Sequence, residues 1–149
     1  MPRWKTILAP VDFSEPSRHG VAMARDLALE SRARLVLLHV VVDAVPAPLP
    51  DLGGFSYGEL VRALEEQAKK ELPEFFPEAD RGGLADVSFR VELGMPHAEI
   101  ARVAEEEAAD LIVISTHGRT GAMHLLIGSV AERVVRTAGC PVLVVKKPG

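Results

Sequence analysis

Leu111-Ile112-Val113-Ile114-Ser115-Thr116-His117-Gly118-Arg119-Thr120-Gly121 carries the chain from four apolar residues straight into a loop of small and polar ones. A continuous run of this kind suits a strand buried on both faces, as in a parallel sheet. Small residues at 115, 118, 121 and 128 let the backbone approach a bulky anion, and glycine takes positive φ without penalty. Consecutive amides in such a loop form an anion nest. Gly128-Ser129 then opens the next helical segment, presenting free N–H groups and the positive end of a helix dipole. Ser115, Thr116, Thr120 and Ser129 supply hydroxyls and Arg119 supplies charge.

The same strand-then-helix grammar extends in both directions from this stretch. Residues 5–11 read as a buried strand, with Ile7, Leu8 and Ala9 bounded by Pro10. Ser14 is the expected N-cap of a helix with Pro16 in its first turn, running to about residue 32 and burying Val21, Ala24, Leu27 and Ala28. Residues 35–42 form a second apolar run interrupted only by His39. Residues 44–57 are rich in Pro and Gly and long enough to act as a flap. A helix is expected over 58–72, with Leu60, Leu64, Ala68 and Leu72 on one face and Glu65/Lys69 and Glu66/Lys70 paired on the other. Pro73 and Pro77 are expected to end or kink it.

Residues 87–93 alternate apolar and polar, the pattern of a strand near a sheet edge. A helix over 96–109 turns Ile100, Val103 and Ala104 inward and leaves Glu105, Glu106 and Glu107 solvated. A last helix (129–138) and a last strand (141–145) complete the order β-α-β-α-β-α-β-α-β. Right-handed crossovers then predict an α/β fold: a single doubly wound five-stranded parallel sheet with helices on both faces, in one domain spanning 1–149.

Composition excludes several classes of function. A length of 149 residues with 48% apolar and 26% charged residues fits one globular domain. The net charge of −4 and the scattered basic residues argue against nucleic acid as a partner, which needs a concentrated basic face. No apolar run approaches a bilayer span, and the start Met1-Pro2-Arg3-Trp4-Lys5 has no signal-peptide pattern, so no membrane and a cytoplasmic location are expected. Cys140 is the one cysteine, read as a small residue packed before a strand. The chain has no asparagine and a single glutamine, Gln67; scarcity of labile amides fits a thermophile, and equally a GC-rich genome.

In an open doubly wound sheet, ligands sit outside the carboxyl ends of the strands at the switch point. Pro10-Val11-Asp12, His39-Val40 and the loop from Ser115 all fall at such ends. Ser129-Val130-Ala131-Glu132 also has capping-box spacing, but the glycines after a buried strand favour phosphate binding. Asp12 could hold Mg²⁺ beside phosphates or accept a hydrogen bond from a ligand, or it could cradle Ser14; spacing leaves these open. His39 reads as a satisfied core histidine, His117 as a candidate loop contact, and His19, His97 and His124 as surface residues. The motifs of P-loop, dinucleotide and α/β-hydrolase sites are absent, and no His, Cys and carboxylate cluster has metal-site spacing.

The segment Ser115-x2-Gly118-x9-Gly128-Ser129 resembles the G-x2-G-x9-G-[S/T] signature of the universal stress protein family, in its nucleotide-binding branch. Ile7-Leu-Ala-Pro-Val-Asp-Phe-Ser14 is similar to that family's opening strand and turn, Leu37-Leu-His-Val40 to its second strand, and Cys140-Pro-Val-Leu-Val-Val145 to its ending. The resemblance implies the Rossmann-like architecture of the adenine nucleotide α-hydrolases. It implies that Pro10, Val11 and Val40 line an adenine pocket closed by Ile114. Asp12 would then stand by the ribose or Mg²⁺, with Ser115, Gly118, Gly128, Ser129 and Val130 around ribose and phosphates; His117 and Arg119 belong to the same loop. It also implies a homodimer through the last strand. Ser115 replaces the signature's first glycine, and its Cβ is expected to tighten the ribose contact.

The resulting expectation is a protein that binds ATP or AMP as a stress-response switch, with no or very slow hydrolysis. Two alternatives stand beside it: a slow ATPase or nucleotidyl-transfer enzyme using Asp12, His117 and Arg119, and a dimeric interaction module without nucleotide.

Overall fold

The computed structural model describes residues 3–43, 53–116 and 128–146. Strand β1 (Thr6–Pro10) leads into helix α1 (Glu15–Ser31), and β2 (Arg34–Val42) precedes α2 (Tyr57–Phe75). A short 3₁₀ turn (Glu78–Asp80) is followed by β3 (Val87–Gly94), α3 (Pro96–Glu106), β4 (Leu111–Ser115), α4 (Ser129–Thr137) and β5 (Val142–Val145). All strand pairs are parallel and the sheet order is β3-β2-β1-β4-β5. The doubly wound sheet expected from the alternation of strands and helices is therefore present, with the alternating strand β3 at an edge.

Burial explains the order. Ile7, Leu8 and Ala9 of β1 and Leu35 through Leu38 of β2 are fully buried, as befits central strands covered on both faces. Alternate residues divide between two cores. Ile7, Ala9, Leu35 and Leu37 pack with Val21, Ala24 and Ala28 of α1 and Leu72 and Phe75 of α2. Leu8, Val36, Leu38 and Ile112 pack with Ile100 and Val103 of α3 and Ala131 and Val134 of α4. Thus α1 and α2 cover one face, and α3 and α4 the other.

Local signals hold at the start of α1. Ser14 is the N-cap, its hydroxyl accepting from the Ser17 amide at 3.2 Å, and a proline occupies the first turn. Elsewhere tertiary packing modifies the expectation. Helix α2 runs through Pro73 to Phe75. Buried Phe75 and Phe76 anchor its last turn, and Arg18 donates to the Phe75 carbonyl at 3.3 Å while lying 4.2 Å over its ring. The buried face of α2 is Val61, Ala68, Leu72 and Phe75, while Leu64, expected on one face with Ala68 and Leu72, is 48% exposed. Lys69 pairs with Glu66 at 3.3 Å rather than with Glu65, and Gln67 with Glu71.

Glu107, expected in solvent, instead lies against β2 and β3, bridging Arg34 at 2.9 Å and Arg90 at 3.1 Å. Arg90 also meets Glu92 and Glu106, and Arg102 meets Glu92, Glu99 and Glu106, so one ion-pair network ties α3 to the strands beneath it. The capping box at the start of α4 does not form. Gly128 is the N-cap, Ser129 is the first helical residue, and Glu132 pairs with Arg136 at 2.8 Å. Among the described residues no helix is long and apolar enough to cross a membrane.

Candidate functional site at the switch point

The sheet order reverses between β1 and β4: from β1 the chain winds outward through β2 and β3, then returns to β4 and β5. A cavity of about 600 Å³ opens at the carboxyl ends of these central strands. That volume lies within the range of small-molecule sites. Pro10, Val11 and Asp12 follow β1, Val40 lies in β2, Ile114 and Ser115 end β4, and Gly128, Ser129 and Val130 open α4; all of these line it. The cavity thus gathers nine of the twelve residues singled out from the sequence. His117, Gly118 and Arg119 lie outside the described residues, as do Thr120, His124 and positions 44–52 of the expected flap.

The turn after β1 is built from short-range hydrogen bonds. The Asp12 carboxylate accepts from both the amide (3.0 Å) and the hydroxyl of Ser14. The Asp12 amide in turn donates to the hydroxyl of Ser17 at 3.4 Å, and that hydroxyl donates to the Ser14 carbonyl at 3.2 Å. Asp12 therefore does cradle the cap of α1, and the same packing fixes its position at the cavity wall. His39 behaves as a satisfied histidine, Nδ1 lying 2.7 Å from the Val11 carbonyl, yet it also lines the cavity.

At the opposite wall, α4 starts on a glycine with no side-chain cap. The Glu132 amide reaches the Gly128 carbonyl at 2.9 Å, and the amides before it precede the helical hydrogen-bond ladder. A helix start left in this condition favours an anion. Thr116 was expected to contribute a hydroxyl; it is buried instead, its amide bound to the Val145 carbonyl at 3.0 Å, and it does not line the cavity.

Ser115 has a structural counterpart. A Cβ placed on Gly20 of α1 would stand 3.5 Å from the Ser115 Cβ and 3.4 Å from its amide nitrogen. The serine side chain thus comes close to the one position of α1 that carries no side chain of its own.

Sequence reasoning missed the α2 wall. Leu64, Gln67, Ala68 and Glu71 all line the cavity, at the i, i+3, i+4, i+7 spacing of one helical stripe. Leu64 and Ala68 belong to the apolar face that the spacing predicts, but Gln67 and Glu71 carry no local signal of a cavity. Phe13, Val41, Val42, Pro96 and Ile100 also contribute. Among the described residues no three His, Cys, Asp or Glu side chains converge as a metal site. Asp12, on the side of the cavity at the end of β1, could serve Mg²⁺, which commonly takes one or two carboxylates with the remaining ligands from phosphates and water. Cys140 takes no part: burial, and then the nearby Asp110 carboxylate, push its thiol up, away from the reactive thiolate.

Strand order, crossovers and cavity together define a doubly wound α/β protein with its cavity at the topological switch point. The universal stress protein family model matches residues 3–146, and the chain belongs to that family. It is 38% identical to universal stress protein MJ0531 of Methanocaldococcus jannaschii over 145 residues, covering 97% of this chain and 84% of the relative. It is 32% identical to MJ0577 of the same organism, covering 97% of this chain and 96% of the relative. The solved structure of MJ0577 superposes with a TM-score of 0.83 at 30% identity, covering 99% of both chains. UspA from Lactobacillus plantarum gives 0.83 at 27% identity, covering 97% of this chain and 99% of that one. Two more distant structures share the fold: a universal stress protein in complex with cAMP (TM-score 0.63, 22% identity, 97% and 98% covered) and one from Archaeoglobus fulgidus in complex with dAMP (0.61, 19%, 97% and 98%).

Proposed function

We propose that this chain, as a single universal stress protein domain over 1–149, binds an adenine nucleotide, ATP or AMP, and acts as a cytoplasmic stress-response switch with no or very slow hydrolysis. The observation that carries the reading is the meeting of Asp12, Ser115 and the glycine-capped start of α4 in one cavity at the switch point. The apolar residues Pro10, Val11, Val40 and Ile114 suit the flat faces of a base, and the α4 amides suit phosphate. That two proteins of this fold are in complexes with cAMP and dAMP supports an adenine nucleotide as the ligand class. His117, Gly118 and Arg119 would complete the phosphate side, and Asp12 would contribute one ligand to Mg²⁺ bound with the phosphates.

Slow or absent turnover is supported by the employment of the polar groups near β1. Asp12 holds Ser14, and the His39 ring meets the Val11 carbonyl. Nucleotide retention is supported by the placement of Ser115 over Gly20, which makes room for the extra Cβ on the side of α1. The homodimer reading rests on β5, an edge strand whose Leu143 is 37% exposed; such an edge is covered by pairing with a second copy.

The test is to denature freshly purified protein and identify the nucleotide released, then titrate the stripped protein with ATP and AMP in the presence of Mg²⁺. Release of an adenine nucleotide and saturable heats are expected. Absence of both overturns the reading.

A further inference from the structure

Gln67 is the single glutamine of a chain without asparagine, so it carries the only side-chain amide in the protein. It stands at the α2 wall of the cavity, with Leu64 and Ala68 on either side and Glu71 one turn further on. Its Nε2 donates to Glu71 Oε1 at 2.8 Å. An ionised carboxylate only accepts hydrogen bonds, so this contact determines which way round the amide sits. Nitrogen faces Glu71, and the amide keeps its carbonyl acceptor and a second N–H donor for a ligand.

A donor next to an acceptor, in one plane, is the partner that the N6/N7 edge of adenine requires. Guanine and hypoxanthine carry a carbonyl oxygen at position 6 and present two acceptors there, so the Gln67 oxygen would face another oxygen. The α2 wall is also the correct end of the cavity. Helix α2 packs with β2 and β3 on the face of the sheet opposite α4, away from the helix start that suits phosphate. Between them lie the apolar residues Val40 and Val41.

We infer that Gln67, oriented by Glu71, is a specificity-determining residue that selects adenine over 6-oxopurines; this rests on the reading of the cavity as a nucleotide site. Gln67 is exposed at the rim and belongs to neither core, so its replacement leaves the fold intact.

The experiment is calorimetric titration of stripped wild type, Gln67→Leu and Glu71→Gln with AMP, with inosine monophosphate, and with ribose 5-phosphate. Wild type is expected to prefer AMP over inosine monophosphate by about tenfold, the discrimination of one bidentate amide contact. Gln67→Leu brings that ratio close to one without changing ribose 5-phosphate binding. Glu71→Gln, which can donate as well as accept, lets the Gln67 amide turn over and also lowers the ratio. A wild-type ratio near one, or a ratio unchanged in either variant, overturns the assignment while leaving nucleotide binding in place. Failure of wild type to bind AMP or ATP at all overturns the nucleotide reading, and this inference with it.

Discussion

Phe13 and His39 face each other across the ends of β1 and β2, their ring centroids 4.5 Å apart and their planes tilted by 36°. Phe13 holds this position with φ of 64°, a left-handed backbone that a bulky residue rarely adopts. Three contacts stabilise it: the His39 ring, an edge contact with Phe75 at 5.7 Å, and the bond from His39 Nδ1 to the Val11 carbonyl. The turn that carries Asp12 is therefore braced from β2 and α2 as well as from its own sequence.

Removing parts of that brace separates its components. Phe13→Ala is expected to destabilise by about 2 kcal/mol in urea unfolding, because a partly buried ring is lost. Phe13→Gly should be milder than Phe13→Ala by about 0.5 kcal/mol, since glycine takes φ of 64° freely. His39→Leu leaves the Val11 carbonyl without its imidazole partner and should lose about 1–2 kcal/mol. If Phe13→Gly proves the more damaging of the two Phe13 variants, the backbone at residue 13 is not strained.

Asp12→Asn distinguishes the cap from the ligand role. The amide oxygen can still accept from the Ser14 amide, so unfolding midpoints should change little, by less than about 1 kcal/mol. Loss of the negative charge should weaken ATP binding in Mg²⁺ by about tenfold while changing it much less in EDTA. Equal losses with and without Mg²⁺ would exclude the metal role of Asp12.

Two glycines, one within α1 and one at the end of β3, should respond with opposite signs. Gly20 is buried in α1, and a Cβ there would meet Ser115 at ordinary contact distances of 3.4 and 3.5 Å. Gly20→Ala should raise stability by about 0.5–1 kcal/mol through helix propensity. Gly94 has φ of 153°, and a Cβ would lie 2.8 Å from Cγ of Glu99, which is held by Arg102. Gly94→Ala should lower stability by about 1–2 kcal/mol. Thermal melts of the two variants beside wild type check the pair.

Stability should fall with acid in a way traceable to Glu107. Partial burial alone would raise its carboxyl pKa, but hydrogen bonds from Arg34 and Arg90 outweigh this and hold it below the usual carboxylate value of 4.5. A depressed folded-state pKa gives stability that is fully present above 4.5 and is lost as pH falls through the lower folded value. Glu99 adds to the same window, held down by its hydrogen bond from Arg102. Melting temperature measured from neutral pH down through the carboxylate range should drop more steeply for wild type than for Glu107→Gln. Parallel curves would show that the network contributes nothing to acid sensitivity.

Much of the architecture follows from short-range information. The runs at Ile7–Ala9, 35–38 and 111–114 are strands because no other element buries a continuous apolar stretch on both sides. Ser14 with Pro16, and Gly128 ahead of Ser129, start helices for reasons contained within one turn of chain. Because right-handed crossovers constrain how such units assemble, the ends of β1 and β4 were legible as the place where a site would form.

The remainder was decided by packing over long range. Period alone shows that Leu60, Leu64, Ala68 and Leu72 share a stripe, but not which edge of that stripe faces the sheet. Docking against β2 and β3 buries Val61 and Phe75 instead and turns Leu64, Gln67 and Glu71 to the cavity. In the same way, Glu107 is one more acidic residue in the sequence until parallel pairing of β2 with β3 brings Arg34 and Arg90 beneath it. Local spacing determined the elements of this protein and the ends of the strands where its cavity lies. The order of strands, which couples residues far apart in the chain, decided which side chains form the cavity wall.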